Sequence, residues 1–482
     1  MEGKSAFCET SLRVMRTEKD SLGTKELHDE LYYGVQTARA VENFPISGWK
    51  AHPGFIRGTV EIKKAATLVH KELGLLPNDK AEAIVKACDE ILSGRLMDQF
   101  VVDVFQAGAG TSHNMNINEV IANRALELSG HKKGDYDFIN PNDHVNMGQS
   151  TNDVIPTAIR LAVLFGIKEF LLKLEKLEQI FLKKSCELYP VIKSGRTHLQ
   201  DATPIRLGQE FSGYAANMTR HKERISKTSE NLYAIGLGGT AVGTGLNSHP
   251  SYRKKVASQL SLQTGFPLKP AANYFEAMQS MAVFAFISSG VKNLALDLIR
   301  IANDFRLLAS GPNTGLAELI LPAVQPGSSI MPGKVNPVLA EMLNMVCFYV
   351  VGCDSGVSSA VQAGQLELNV MMPLLAYLLP TSISILGNAL EAFSDKCVSG
   401  VQADKEKCED YAEKSLAIVT ALNPYVGYLK AAEIAKESQK TGKRIRDLIL
   451  ERGLLPKEKL DEILDLPGMT EVGIPGKAKE KV

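Results

Sequence analysis

The stretch from residue 339 to residue 396 most limits what this chain can fold into, because its residues are largely apolar or small on every side. A helix with one apolar stripe needs a single packing surface, whereas a helix that is apolar all round needs other helices all round it. Pro373 and Pro380 interrupt the stretch. The pattern therefore predicts a helix bundle that is buried between subunits, and hence a homo-oligomer.

Two further segments have the spacing of long amphipathic helices, with apolar residues in steps of three or four and charged residues between them. The apolar positions are Phe170, Leu174, Leu177 and Phe181 in one segment, and Leu294, Leu298, Ile301, Phe305 and Leu308 in the other. The sequence therefore predicts a mainly α protein with a central domain of long helices.

Changes in composition divide the chain into three predicted domains. Residues 1–150 mix short elements with segments rich in glycine, proline and asparagine, and residues 151–405 carry the long helical periodicity. Residues 406–482 are more charged, and they predict a small C-terminal domain with short helices near 444–451 and 457–465. The tail PGKAKEKV, from residue 475 onward, is expected to be disordered.

Overall composition argues against several classes of partner. The 482 residues include 54 basic and 54 acidic side chains, so neither nucleic acid nor an anionic membrane surface is expected to bind. No run reaches the roughly 18 uninterrupted apolar residues of a membrane span, and no signal-peptide pattern is visible. Seven scattered cysteines, without a CxxC pair or a histidine cluster at metal-ligand spacing, predict reduced thiols in the cytoplasm and no metal site.

The segment GSSIMPGKVNP, from Gly327 to Pro337, is the strongest candidate for chemistry. Its glycines and prolines predict a loop. On residue types alone, a polar turn between two helices would be the preferred interpretation. The loop nevertheless combines one positive charge with neutral hydrogen-bonding groups, which suits a small anionic ligand. The side chains concerned are Ser328, Ser329, Lys334 and Asn336.

Two polar segments in the first third of the chain lack the periodicity of a packed helix face. In GAGTSHNMN, residues 108–116, glycines let the backbone approach a ligand, and Thr111 is one of several hydrogen-bonding side chains. QSTND, residues 149–153, precedes a helical pattern, so its polar side chains could cap the helix, bind an anion at the helix start, or do both. The candidates there are Ser150, Thr151 and Asn152.

Two later segments are also polar. SGRTHLQDATP, residues 194–204, contains Thr197 and His198, although a lone histidine is more often structural than catalytic. GGTAVGTG, residues 238–245, looks superficially like a phosphate-binding loop. It lacks the lysine and hydroxyl ending of such loops and has no preceding strand pattern, so we reject that interpretation.

The chain resembles the fumarase/aspartase superfamily in four segments, which are the loop at 327–337 and the blocks at 108–116, 149–153 and 194–204. The four segments follow each other in the family's order, and the resemblance extends from about residue 20 to about residue 470. Argininosuccinate and adenylosuccinate lyases carry related loops with other residues in place of Ile330, Gly333 and Val335. The resemblance implies a mainly α, three-domain fold whose central long-helix bundle forms the core of a homotetramer. It implies no metal and no organic cofactor.

Local residues favour the aspartase branch of this family. Three segments resemble aspartases, namely STND at 150–153, YYGV at 32–35 and GQLELNVMMP at 364–373. Asn140, just before PNDHVN, also resembles aspartases, because fumarases typically have a histidine at this position. GRTHLQDATP, GGTAVGTG and TALNPYVGY are at least as similar to fumarases. The resemblance implies reversible elimination of ammonia from L-aspartate, a small dicarboxylate, to give fumarate. The alternatives are a class II fumarase, a lyase for N-substituted aspartates, and a binding protein that has lost its chemistry.

The resemblance also implies a role for each candidate residue. Ser328 is the general base, and Lys334 and Asn336 bind the α-carboxylate. The β-carboxylate, which gains charge in the aci-carboxylate intermediate, is held by hydroxyl donors, and three further side chains lie near the amino group and the β-carboxylate. The hydroxyl donors are Thr111, Ser150, Thr151 and Ser329; the side chains near the amine are Asn152, Thr197 and His198.

Three expectations remain open at this point. A serine hydroxyl is too weak an acid to ionise unaided, so Ser328 would need an environment like an oxyanion hole, for example backbone amides of its own loop. Glu341 either orients Lys334 or is an ordinary solvated carboxylate at a helix start. His113 departs from the family pattern, and its ring points either into the pocket or away from it. Separately, the resemblance implies that each active site combines blocks from three subunits.

Overall fold

The computed structural model describes residues 14–477, and helices dominate them. The helices are α1 Val35–Asn43, α2 Pro53–Glu72, α3 Asn78–Leu92, α4 Thr111–Leu128, α5 Thr151–Leu188, α6 Leu207–Ser229, α7 Tyr252–Thr264, α8 Tyr274–Gln279, α9 Ala282–Leu308, α10 Val338–Gln362, α11 Met372–Lys396, α12 Lys405–Lys414, α13 Asn423–Val426, α14 Tyr428–Thr441, α15 Ile445–Glu451 and α16 Lys457–Ile463. The prediction of a mainly α fold is confirmed.

The strands form two-stranded pairs and no larger sheet within residues 14–477. The pairs β1–β2, β3–β4 and β7–β8 are antiparallel, and β5–β6 is parallel. Their bounds are β1 Met15–Asp20, β2 Gly23–His28, β3 Ile192–Thr197, β4 Gln200–Arg206, β5 Ala234–Ile235, β6 Lys269–Pro270, β7 Leu319–Ile320 and β8 Gln402–Ala403.

The chain divides into two compact units, each made of three separate stretches of sequence. The first unit comprises Met1–Leu171 (described from residue 14), Glu223–Asn293 and Phe348–Ile385. The second unit comprises Leu172–Lys222, Leu294–Cys347 and Leu386–Val482 (described to residue 477). This partition differs from the three consecutive domains expected from composition, and that three-domain division stays a prediction.

The core of the first unit includes a cluster to which α2, α3 and α4 contribute apolar faces. Apolar residues of α3 recur at helical spacing and are at most 2% exposed; they are Ile84, Ala87, Cys88 and Ile91. Ile117 and Ile121, four residues apart on α4, belong to the same cluster. Each fully buried aliphatic side chain contributes about 1.5–3 kcal/mol relative to exposure, so packing of these faces is the main stabilising term here.

An aromatic cluster forms part of the core of the second unit. Phe181 of α5, Phe211 of α6 and Phe305 of α9 are each fully buried. The ring centroids of Phe181 and Phe211 are 6.1 Å apart, and those of Phe211 and Phe305 are 5.6 Å apart. Both predicted apolar stripes are buried, with no member more than 7% exposed. The helical periodicity was therefore assigned to the correct residues.

The C-terminal helices of the second unit share a smaller apolar core. Ile434 of α14, Leu448 of α15 and Leu460 of α16 are buried together. The short helices expected near 444–451 and 457–465 are present as α15 and α16. At the start of the predicted disordered tail, the Tyr425 hydroxyl donates a 2.7 Å hydrogen bond to the Pro475 carbonyl. Residues 478–482 of that tail lie outside the described residues.

Three long helices keep apolar surface exposed. Judged by length and composition alone, three helices are long and apolar enough to cross a membrane, namely α9, α10 and the helix that begins at Met372. Only 39%, 39% and 56% of their most apolar windows are buried. Phe286, Met345 and Phe348 are 66%, 64% and 58% exposed. Such faces require another apolar surface to cover them.

Candidate active site

The segment predicted to be a loop, Gly327–Pro337, forms a closed loop between β7 and α10. The backbone N–H of Gly327 donates to the carbonyl oxygen of Lys334 at 2.8 Å, and the Asn336 side-chain amide donates to the Gly327 carbonyl at 2.6 Å. A Cβ atom at Gly327 would lie 2.4 Å from the Lys334 carbonyl oxygen, so only glycine permits this approach. Gly333 supplies the turn, with φ +80°. The loop is therefore closed by its own ends.

The Ser328 hydroxyl is surrounded by backbone amides of its own loop. Its hydroxyl oxygen accepts hydrogen bonds from the backbone N–H groups of Met331 at 2.9 Å and Ile330 at 3.2 Å. Donors that point at an oxygen stabilise its anionic form and so favour deprotonation. This arrangement matches the expectation that amides of the loop surround Ser328. Its role as general base stays a prediction.

The other predicted loop residues differ in their contacts. Ser329 and Lys334 are exposed, as expected of groups that meet a ligand. The Asn336 amide closes the loop, a contact that the sequence did not indicate. Glu341 lies in the first turn of α10, where its backbone N–H donates to the Pro337 carbonyl. Among residues 14–477 no hydrogen bond joins Glu341 to Lys334, and its orienting role stays a prediction.

The start of α5 is capped by the residues predicted to bind an anion. The Ser150 hydroxyl oxygen accepts from the Asn152 backbone N–H at 3.2 Å, and the Asp153 carboxylate accepts from the Ser150 N–H at 2.9 Å. These reciprocal bonds have the form of a capping box. Ser150, Thr151 and Asn152 are half-buried and stand at the positive end of a 38-residue helix. Capping is thus observed, and it leaves the anion role open.

The glycine-rich segment 238–245 binds an anion that belongs to the protein itself. The buried Asp153 carboxylate accepts from the backbone N–H groups of Gly238 and Thr240, both at 2.9 Å. Gly238 and Thr240 have φ of +91° and +55°. Burial raises the pKa of Asp153 to about 6, and the backbone donors oppose that rise. The segment resembles a phosphate-binding loop because its amides surround a carboxylate.

Asn114 connects α4 to the start of α5. Thr111 is exposed as the first residue of α4. One turn later, the Asn114 amide lies 3.4 Å from the Thr151 hydroxyl oxygen and donates to Asn146 Oδ1 at 3.2 Å. The buried Asn114 Oδ1 has no hydrogen-bond partner among residues 14–477. Within the first unit, α4 and the start of α5 thus meet at Asn114 and Thr151, and Thr111 lies one turn before this contact.

Lys63 and Asp153 belong to this group of residues, and the sequence analysis missed both. Lys63 is fully buried, and its ammonium group donates to the side-chain oxygens of Asn146 at 2.7 Å and Gln149 at 3.0 Å. Burial lowers the pKa of Lys63 to about 7. A sequence signal existed, because this lysine occupies a position of the buried face of α2, in step with Ile56, Val60 and Thr67.

Thr197 and His198 lie at the end of the β3–β4 hairpin in the second unit. Thr197 pairs with Gln200, which leaves His198 and Leu199 as a two-residue turn. All four side chains are exposed. The second unit therefore contains both this turn and the Ser328 loop. Within the described chain, no hydrogen bond joins the two.

His113 is the departure from the family pattern, and its ring points away from solvent into the first unit. It is 1% exposed and stacks on Phe55, with ring centroids 4.1 Å apart. Its Nε2 atom lies 3.1 Å from the Thr59 hydroxyl oxygen. Because that hydroxyl donates to the Phe55 carbonyl, the histidine is the donor in this contact. His113 is therefore a core residue.

Within residues 14–477, no three histidine, cysteine, aspartate or glutamate side chains are grouped closely enough to hold a metal ion.

Comparison with known proteins identifies the family. A family model described as lyase matches residues 23–352, and one described as fumarase C C-terminus matches residues 418–471. An aspartate ammonia-lyase from a Bacillus species is 51% identical over 463 residues, which cover 96% of this chain and 99% of that protein.

Solved structures agree with this assignment. A fumarate lyase:delta crystallin from Brucella melitensis, bound to cobalt, has a TM-score of 0.92 and 47% identity and covers 95% of this chain and 100% of its own. A class II fumarase from Schistosoma mansoni has a TM-score of 0.92 and 38% identity, with 95% and 99% covered. The family predicted from the four sequence blocks is confirmed. This chain belongs to the fumarase/aspartase superfamily of lyases.

Proposed function

We propose that this chain is an aspartate ammonia-lyase, which converts L-aspartate reversibly to fumarate and ammonia. The observation that carries the proposal is Ser328, whose hydroxyl oxygen receives two backbone N–H bonds inside a closed polar loop. The Bacillus aspartate ammonia-lyase, 51% identical over nearly the whole chain, supports the choice of substrate. Asn140 also supports it, because its side chain is used to cap the turn Pro141–Val145 and carries no charge.

The chemistry requires removal of a Cβ proton that only the neighbouring carboxylate acidifies. Removal of this proton gives an aci-carboxylate intermediate with two negative charges on the β-carboxylate oxygens, so most of the catalytic effect must be electrostatic. Neutral donors that are already oriented stabilise this charge with little reorganisation. Thr111, Ser150, Thr151 and Ser329 serve this purpose, aided by the positive end of α5.

The remaining groups bind the parts of the substrate whose charge does not change. Lys334 supplies a point charge for the α-carboxylate, and the second N–H of Asn336 adds a hydrogen bond. Asn152, Thr197 and His198 bind near the amine. Ammonia departs from a protonated amine, so no general acid is strictly required. The Ser328 oxygen takes the Cβ proton while its two backbone donors stabilise the alkoxide that precedes transfer.

We further propose that the enzyme is a homotetramer whose active sites combine residues of three copies. The exposed apolar faces of α9, α10 and α11 support this arrangement, because a second copy of the same helices would cover them. A membrane would cover them as well, and the oligomeric state in detergent-free buffer separates the two cases. An active monomer would contradict the shared site.

A cytoplasmic location is part of the proposal. All six cysteines among the described residues are free thiols, and Cys186 is exposed. Exposed thiols of this kind persist in a reducing compartment. Fractionation of cells that express the protein tests the location.

Absorbance of fumarate tests the function directly. Purified protein is given L-aspartate in one cuvette and L-malate in another, with Ser328→Ala and Ser93→Ala as paired variants. Ser93 is an exposed serine just after α3 whose hydroxyl donates to the Glu90 carbonyl, so its loss is expected to be silent. Signal from aspartate alone that Ser328→Ala removes supports the proposal. Signal from malate alone would establish a fumarase, and silence with both would direct the search to N-substituted aspartates.

A further inference from the structure

The turn that carries His198 has an unfavourable backbone conformation. His198 and Leu199 have φ of 56° and 59°, and they connect the last residue pair of the hairpin. Two-residue turns with both φ angles positive usually contain asparagine, aspartate or glycine, because other L-residues clash there. Leu199 is 71% exposed, so its side chain does not hold the turn in place. Such a turn persists only when neighbouring structure imposes it.

A buried ion cluster lies at the base of this turn. Glu318 is 0% exposed, and one Arg196 guanidinium nitrogen donates to its two carboxylate oxygens at 2.8 and 3.0 Å. The Lys193 ammonium lies 3.3 Å from Glu318 and 2.8 Å from Glu210. Loss of one member of such a cluster leaves a buried charge without its partner.

The backbone of Glu318 is fixed as well. Its N–H donates to the Leu308 carbonyl at 2.8 Å, and its carbonyl accepts from the Asp404 N–H at 3.1 Å. The carboxylate is therefore a rigid point against which β3 is held. Arg196 directly precedes Thr197, so a displacement of Arg196 moves the hydroxyl and the imidazole at the end of the hairpin.

We propose that Glu318 is a positioning residue for the reaction. Through Arg196 and Lys193 it holds the unfavourable turn that presents Thr197 and His198 to the substrate. The inference rests on the proposed function, which assigns those two residues to the substrate. Glu318 touches neither substrate nor reacting atoms, and its effect passes through the hairpin.

A double-mutant cycle between Glu318→Gln and His198→Ala tests this role. Both kcat and KM for L-aspartate are measured on assembled, folded enzyme, checked by gel filtration and thermal denaturation. Misplaced substrate contacts lower rates by up to about a hundredfold, so Glu318→Gln should reduce kcat/KM roughly tenfold to a hundredfold. In the His198→Ala background the same change should reduce kcat/KM by a smaller factor, since one of the two groups that Glu318 positions is gone. Independent, multiplicative effects would overturn the proposal.

Three further proteins complete the test. Glu178→Gln is the matched control, because Glu178 is a buried carboxylate of the same unit that pairs with Lys222 at 2.6 Å; its effect on kcat/KM should not depend on His198. Arg196→Met replaces Glu318→Gln in the cycle if that variant does not assemble, since it leaves the Lys193–Glu318 pair intact. Leu199→Asn, which tolerates positive φ, should restore part of the activity lost in Glu318→Gln, and absence of rescue would also overturn the proposal.

The wild-type enzyme is assayed first. A wild type that forms no fumarate from L-aspartate refutes the proposed function, whereas an active wild type with independent effects refutes only the role of Glu318.

Discussion

His113 is expected to make the folded protein sensitive to acid. Its ring is buried between Phe55 and Thr59, and burial lowers its pKa to about 3, with a smaller contribution from the positive charge of Lys63. An exposed histidine in the unfolded chain has a pKa near 6.5. The folded state therefore stabilises the neutral form of the His113 ring relative to the protonated form.

The size of the loss in folding stability follows from this difference in pKa. Because the folded pKa lies below the unfolded pKa, the stabilisation is fully present above about pH 6.5 and is lost as the pH falls towards 3. At pH 5 the unfolded chain holds a proton on nearly every copy of this histidine, whereas the folded chain holds almost none. The loss at pH 5 is about 2 kcal/mol of the free energy of unfolding.

The change to make is His113→Met, which places an apolar side chain of similar length against Phe55. Guanidinium unfolding at pH 8 and pH 5, at one fixed protein concentration, gives the loss of stability in each protein. The loss should be about 2 kcal/mol smaller in the variant than in the wild type. Other buried groups, such as His70 with its pKa lowered to about 4 by burial, contribute equally to both proteins.

Ile117→Met is the control, since Ile117 is fully buried on the same helix, α4, and carries no ionisable group. The loss of stability of this variant between pH 8 and pH 5 should equal that of the wild type. An equal loss in His113→Met and wild type would refute the reasoning, because it would mean that the folded protein protonates His113 as readily as the unfolded chain does.

Four shorter predictions concern the site. Ser328→Ala should lower kcat at least about a hundredfold without changing assembly, as loss of a general base does, and steady-state kinetics with gel filtration checks this. His198→Ala should raise KM and lower kcat while turnover remains, and complete loss of turnover in folded enzyme would contradict a binding role. Gly327→Ala should lower kcat/KM about tenfold or more, because its Cβ would meet the Lys334 carbonyl at 2.4 Å, whereas Gly213→Ala, with open space around it, should not. Dilution should abolish activity and the oligomer at the same concentration, measured by progress curves and light scattering.

Features that depend on nearby residues could be predicted from the sequence. The stripes ending in Phe181 and Phe305 are buried as predicted, because helical spacing brings residues three and four apart onto one face. The environment of Ser328 could also be predicted, because the amides that donate to its hydroxyl belong to Ile330 and Met331, two and three residues later. In both cases the residues concerned lie within about four positions of each other in the chain.

Features that depend on distant partners could not be predicted. Asp153 is bound by amides more than eighty residues away, at Gly238 and Thr240. The pattern GGTAVGTG resembles a phosphate-binding loop, an interpretation rejected from the sequence, and nothing in it shows that its amides bind a side chain of the same protein. Lys63 is comparable, because its amide partners Asn146 and Gln149 become neighbours only through the packing of the first unit.

The hairpin turn at His198 shows why physical rules of sequence fail most readily at a functional site. Rules for turns expect glycine or asparagine where φ is positive, and the pair His198–Leu199 contains neither. The conformation is instead imposed by Glu318, whose carboxylate lies 120 residues later in the chain and accepts a hydrogen bond from Arg196. A sequence consistent at every level would have used asparagine and glycine here. Those residues would form the turn without assistance, but they would remove the imidazole. The unfavourable backbone is thus the consequence of placing a histidine at the end of a tight hairpin, and a buried ion cluster is what such a placement requires.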